Sequence, residues 1–275
     1  MTDAMRVTVP IGVALVLAMP GNSVLLRYRF SPHEELRYHL RLSMQTRMEE
    51  GGKQPLVAPI NTGDGVWVLR VLSVHKDGSA EVSSGVIGLT MRLGGGAVAD
   101  PETVTFTLSP SGRVTGMHSP YTRVPGRRRT FRDLAAVARI STSLPQGSVH
   151  AGSKWISCMP SPVWGVDKVR VQGRVVSISG VPGRRIANLE QRFQFPIRLA
   201  LPDGAEGAGD TTEWNADGVF TVVSSTRFLV ERGIPVATEV EARGTVRVSP
   251  LNAPQAAGGA ARLYVLVRAS TRLQR

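Results

Sequence analysis

The stretch Leu36–Met48, LRYHLRLSMQTRM, keeps its two parities apart for thirteen residues. Leu36, Tyr38, Leu40, Leu42, Met44, Thr46 and Met48 fall on one side. Arg37, His39, Arg41, Ser43, Gln45 and Arg47 fall on the other, which is the period-2 signature of a strand with one wet face. A helix would scatter both sets around its circumference. At about 3.3 Å per residue the strand is roughly 43 Å long, against a usual strand of about five or six residues, so it predicts a large curved sheet with one apolar face. The same split puts the arginines on the wet, convex side, away from any groove.

Working outward, Arg185–Leu199 repeats the pattern. Ala187, Leu189, Phe193, Phe195, Ile197 and Leu199 share a parity with a single polar residue, Gln191. Further strands are expected at Val24–Phe30, Val66–Val74, Ser79–Ser83, Gly85–Leu93, Thr103–Leu108, Arg113–Met117, Lys168–Ile178, Val219–Val230, Ile234–Val248 and Ala261–Ala269. Turn chemistry separates them: Asn61–Gly65, Asp77-Gly78, Ser109–Gly112, Asp217-Gly218 and Glu231–Gly233 all read as turns. Val66–Val74 is apolar on both parities, so both its faces are expected to be covered. Gly94-Gly95-Gly96 lacks the flanking pattern of a phosphate-cradling loop.

One helix is expected. Thr130 with Asp133 resembles a capping box, and Phe131, Leu134, Val137, Ala138 and Ile140 form an apolar stripe. A lone helix among strands must bury that stripe against the sheet, as a lid or plug. Arg127-Arg128-Arg129 precedes it, where cations oppose the helix dipole, an arrangement that suits an anion or a membrane contact as well as a solvated loop.

The fold class expected is therefore mainly β: a long curved antiparallel sheet or half-barrel of roughly a dozen strands with one amphipathic helix as lid or plug. Residues 1–23 read as a secretory signal peptide, with Arg6, the apolar run Val7–Met19 and small residues Gly21 and Ser23 before the cut. Residues 24–275 then form a single β-rich domain, with a possible subdivision near 145, and the expected location is extracytoplasmic, periplasmic or secreted.

Composition narrows the chemistry. A net charge of +12 favours anionic partners such as lipid headgroups, envelope polymers or nucleic acid. Only 4 of the 33 basic residues are Lys, a skew that genome composition also produces. Single-strand stacking needs basic and aromatic residues on one face, and Leu36–Met48 separates Tyr38 from its arginines, which disfavours nucleic acid. One cysteine, Cys158, excludes an internal disulfide and any multi-cysteine zinc site. The histidines His33, His39, His75, His118 and His150 form no close ligand pair, no G-x-S-x-G elbow occurs, and Glu34-Glu35 and Glu49-Glu50 are adjacent turn residues and not opposed carboxylates. No catalytic residue, metal site or cofactor is expected, so the chain reads as a non-enzyme. Trp67 and Trp155 are expected in the core.

Three segments carry a family resemblance: Val24-Leu25-Leu26-Arg27-Tyr28-Arg29-Phe30 with Leu36-Arg37-Tyr38, the hairpin Phe106–Val114, and Leu144-Pro145 followed by Val149, Gly152 and Trp155. They resemble an uncharacterised family of bacterial extracytoplasmic all-β proteins, broadly similar in shape to lipoprotein-carrier-type folds, in which a curved antiparallel sheet wraps an apolar groove. These are turn and strand residues, so the resemblance assigns no catalytic position. His33-Glu34-Glu35 stands where the family has a glycine in its first turn.

The function expected is an exported binding protein that holds or shields an apolar or lipid-like ligand. Tyr38, Leu40, Leu42, Phe193 and Phe195 are the groove residues, with Arg127, Arg128 and Arg129 at the mouth for an anionic headgroup. The alternative is a non-catalytic envelope scaffold or interaction module whose apolar face is only a core. An anionic membrane or envelope surface is a possible partner under either; the oligomeric state is open.

Overall fold

The computed structural model describes residues 23–51, 54–91, 103–118, 142–160, 168–201, 214–250 and 261–274. The predicted helix, Arg127–Arg129 and residues 1–22 of the predicted signal peptide lie outside the described residues.

Fourteen strands follow one another: β1 (Val24–Leu25), β2 (Glu35–Glu50), β3 (Leu56–Val57), β4 (Asn61–Val74), β5 (Ala80–Met91), β6 (Val104–Leu108), β7 (Val114–His118), β8 (Ser148–Val149), β9 (Lys154–Pro160), β10 (Lys168–Ser179), β11 (Ile186–Leu201), β12 (Trp214–Leu229), β13 (Ile234–Pro250) and β14 (Ala261–Leu273). Twelve of them make one antiparallel sheet, in the order β7-β6-β5-β4-β2-β14-β13-β12-β11-β10-β9, with the short β3 on β2. The last strand thus pairs with the first long one, from Leu273 opposite Tyr38 to Ala261 opposite Glu50. Edges β7 and β9 approach each other without pairing, so the sheet curls into a nearly closed barrel. Both chain halves lie in this one sheet.

Parity decides the inside. In β2 the burial alternates as the sequence predicts, with Leu36, Tyr38, Leu40 and Leu42 buried and Arg37 and Arg41 exposed. Bulges re-aim the staves and tighten the curvature, at Val176 in β10 and at Val236 in β13, opposite Arg227 and Phe228 of β12.

The two ends differ. At one end the turns are tight, and the hairpins predicted at Asp77-Gly78, Ser109–Gly112 and Glu231–Gly233 all close there. Val24–Phe30 lies across this end: Tyr28 N–H donates to the Pro110 carbonyl at 2.7 Å and Arg29 N–H to that of Gly233 at 3.3 Å. Its alternate residues Val24, Leu26 and Tyr28 are buried as a cap. Gly233 has φ 68, and a Cβ there would strike the Arg27 carbonyl and the Arg29 amide, so the close approach of turn and cap requires glycine. At the opposite rim the strands end at Glu50, Met91, Pro160, Leu201 and Pro250, and longer connections join them.

Three expectations are corrected. Asn61–Gly65 is no turn; it extends β4, because the long β2 offers paired positions as far as Met44 opposite Asn61. Asp217-Gly218 likewise runs through β12, paired on one side with Arg198 and Ile197 and on the other with Arg247 and Val246. In both, two-sided ladder pairing overrides local turn preference. The outer face of β4 is only partly covered: Val68 is buried, but Leu72 is 39% exposed.

Candidate ligand-binding interior

Two apolar compartments fill the barrel. The capped one holds Tyr28, Tyr38, Trp67, Phe106 and Phe228 among aliphatic side chains. Tyr38 stacks on Trp67 at 4.9 Å between ring centroids, and Tyr28 meets Phe228 edge-on at 5.5 Å. The indole N–H of Trp67 donates to Ser84 Oγ at 2.8 Å, and the Tyr38 hydroxyl donates to the Pro235 carbonyl at 3.1 Å. Between these rings lies a cavity of ≈ 30 Å³, bordered also by Thr142, Thr238 and Thr271. A volume of that order holds a water or two, not a hydrocarbon chain.

Burial pushes the hydroxyls of Tyr28 and Tyr38 well above the usual phenol range. Both therefore stay neutral and serve as amphipathic lining, not as bases. The Tyr28 hydroxyl is buried beside Thr142 but makes no hydrogen bond of acceptable geometry.

The second compartment lies toward the long-loop rim. Phe193, Phe195 and Phe220 form a stacked run, with centroids 6.2 and 5.8 Å apart. Val171, Val222, Val246 and Val265 complete its buried wall. Here burial among the described residues is less complete. Met44, Ala242, Val248, Leu263 and Val267 share the inward parity with these residues, yet all are only partly buried. At the capped end the same parity of β2 and β14 is buried at Leu40, Leu42, Ala269 and Thr271.

A polar belt runs between the compartments, which Val240 bridges by packing against both. Gln191 and Ser224 are cross-strand partners on the inner face, and both are buried. The Gln191 side-chain amide donates to the carbonyl of Ser143, whose hydroxyl donates to Ser157 at 2.6 Å. Thr142 and Thr226 share a hydrogen bond at 3.0 Å, and Thr226 and Thr238 one at 3.3 Å. Residues Thr142–Pro145 are buried, so this segment runs inside the barrel, where the Ser143 carbonyl accepts from Gln191 and the Leu144 amide donates to the Ser111 carbonyl at 2.8 Å.

The predicted groove residues are thus placed in two compartments. Tyr38, Leu40 and Leu42 lie in the capped one and Phe193 and Phe195 in the rim-side one. Arg127, Arg128 and Arg129 fall outside the described residues. Sequence reading noticed Gln191 as an odd polar residue but gave it no partner, and it missed Phe220 and the threonines of the belt; Thr226 and Thr238 on otherwise apolar parities were the available signal. Trp67 is in the core, while Trp155 is half-buried with its ring over Gly173, its cross-strand partner, and its indole N–H unpaired.

The outer wall carries the charge. Arg70 and Arg37 hold the Glu35 carboxyl below the ordinary range, as Arg268 and Arg243 do for Glu241, and Arg47 and Tyr264 for Glu49. Among the described residues no group of three His, Cys, Asp or Glu side chains could hold a metal ion. Cys158 is exposed on β9. No family model and no curated protein matches the chain.

Proposed function

We propose that this protein is a non-catalytic binding protein that takes the apolar part of an amphipathic ligand, such as an acyl chain, into the rim-side half of its barrel. One observation carries the reading. Inward side chains of β2 and β14 remain partly exposed there at Met44, Leu263 and Val267, although the same parity of those two strands is buried at Leu40, Leu42, Ala269 and Thr271 toward the capped end; on β13 the partial exposure continues through Val240. At about 25 cal/mol per Å² of apolar surface removed from water, covering such a lining favours a hydrocarbon occupant. Phe193, Phe195 and Phe220 would form its floor; the aromatic cavity of the capped half is too small to join it. The pattern of residues 1–23 supports an extracytoplasmic location, in keeping with the extracytoplasmic β-proteins the chain resembles.

The rival reading is a structural module with a filled core, and the solid packing of the capped half favours it. Lipid extraction of the purified chain with mass spectrometry, together with titration of a fluorescent fatty acid, decides between them. Binding that Ala242→Trp abolishes, with the melting temperature retained, supports ligand uptake. No co-purifying lipid and no probe binding by the unaltered chain would sink it in favour of the structural module.

A further inference from the structure

The capped end gathers exposed cations on turns that touch one another. On the barrel wall some exposed arginines pair with carboxylates, Arg41 with Asp64 at 3.3 Å, Arg174 with Glu190 at 2.7 Å, and Arg268 with Glu241 at 2.9 Å, while others, Arg170, Arg192 and Arg227 among them, have no carboxylate partner among the described residues. At the cap three carboxylates are engaged by near neighbours. Glu231 is taken by Arg185 at 2.6 Å, Glu34 by Arg232 at 3.2 Å, and Asp77 accepts from Ser79 at 2.6 Å. That leaves Arg27, Arg29, Lys76, Arg113 and Arg184, all exposed, with no carboxylate partner among the described residues.

These five share one surface because the turns that bear them touch. Arg27 and Arg29 are the outward residues of the cap segment that follows β1, whose inward neighbours Leu26 and Tyr28 enter the core. The cap is hydrogen-bonded to the Ser109–Gly112 turn, which precedes Arg113, and to Gly233. Val230 N–H donates to the Arg185 carbonyl, next to Arg184, and Pro110 packs near Gly78 of the turn that holds Lys76. Two aliphatic side chains stand exposed among them, Leu25 at 42% and Val181 at 66%.

We propose that the capped end docks on an anionic lipid surface. Cations around exposed aliphatic tips match a headgroup layer, where the charges meet phosphates and the tips enter the acyl boundary. Nucleic acid fits less well: the outermost aromatic of the cap, Phe30, stacks on Tyr28 at 5.9 Å and lines the aromatic cavity instead of standing out among the cations. Docked this way, the long-loop rim points away from the bilayer. The proposal is independent of whether the barrel takes up a ligand.

The test is sedimentation of the full chain with phosphatidylcholine vesicles, with and without phosphatidylglycerol. Binding is expected only to the anionic vesicles, and it is expected to vanish near 1 M salt, where the screening length is about 3 Å. Each basic side chain near such a surface is worth about fivefold in partitioning, so Arg27→Glu with Arg113→Glu and Arg184→Glu lowers binding by roughly a hundredfold or more. The control with Arg170→Glu and Arg192→Glu on the far wall changes it by less than tenfold. Should the charge-reversed cap variant fail to fold by circular dichroism, the corresponding Arg→Gln set replaces it and still loses binding. Equal losses in cap and wall variants, salt-insensitive binding, no binding by the unaltered chain, or tighter binding to a single-stranded oligonucleotide would each overturn the proposal.

Discussion

The ring of Phe220 occupies the space over Gly244, its cross-strand partner on the inner face of the barrel, where a Cβ would stand. The missing side chain lets the ring lie against the β13 backbone and continue the stack from Phe195, much as an aromatic covers a strand glycine in designed sheets.

Gly244→Ala should therefore displace the Phe220 ring and cost ~1–3 kcal/mol, the usual price of overpacking a filled site. Denaturant unfolding measures it. Combining the change with Phe220→Leu should recover part of the loss, since residues in contact are not additive; strictly additive losses would show that the ring and the glycine are not coupled.

Gln191 holds the Ser143 carbonyl inside the barrel. Gln191→Leu leaves that buried acceptor without its donor, at a cost of about 1–3 kcal/mol. The loss should be local as well as global. The Leu144 amide, which donates to the Ser111 carbonyl at 2.8 Å, should lose hydrogen-exchange protection before the β11 ladder does.

Glu231 accepts from the side chain and the backbone N–H of Arg185 at 2.6 and 2.8 Å, and that guanidinium holds its carboxyl below the ordinary glutamate value of 4.5. In acid the unfolded chain then binds more protons than the folded one, so stability falls as pH drops below 4.5 through the lower folded value. Glu231→Gln should be less stable than the parent at neutral pH and lose less on acidification. Urea midpoints across an acid series give the comparison, and parallel curves for the two proteins would refute the linkage.

Much of the fold was legible along the chain because a half-wet strand writes its burial into alternate residues. Leu36–Met48 falls within β2, and Arg185–Leu199 within β11 but for its first residue. His33, in the first turn, adopts the left-handed conformation that ordinarily favours glycine, with φ 64. Asn61–Gly65 and Asp217-Gly218 misled, since turn residues are also tolerated in a strand paired on both sides. The candidate site was less legible. Tyr38 and Phe195 share an inward parity, but parity says nothing of height along the barrel, and the two lie in different compartments.

The sequence by itself determined that this protein is an antiparallel β structure with a basic outer face and an apolar inner one, because side chains alternate with a period of two whatever the partner strand. Only the tertiary structure decided that β14 closes on β2, that Val24–Phe30 caps one end, that Gln191 lies between two compartments, and that the partly exposed lining lies at the other end. Those features depend on register and curvature, which arise from long-range pairing and from bulges, and no local pattern in the chain encodes them.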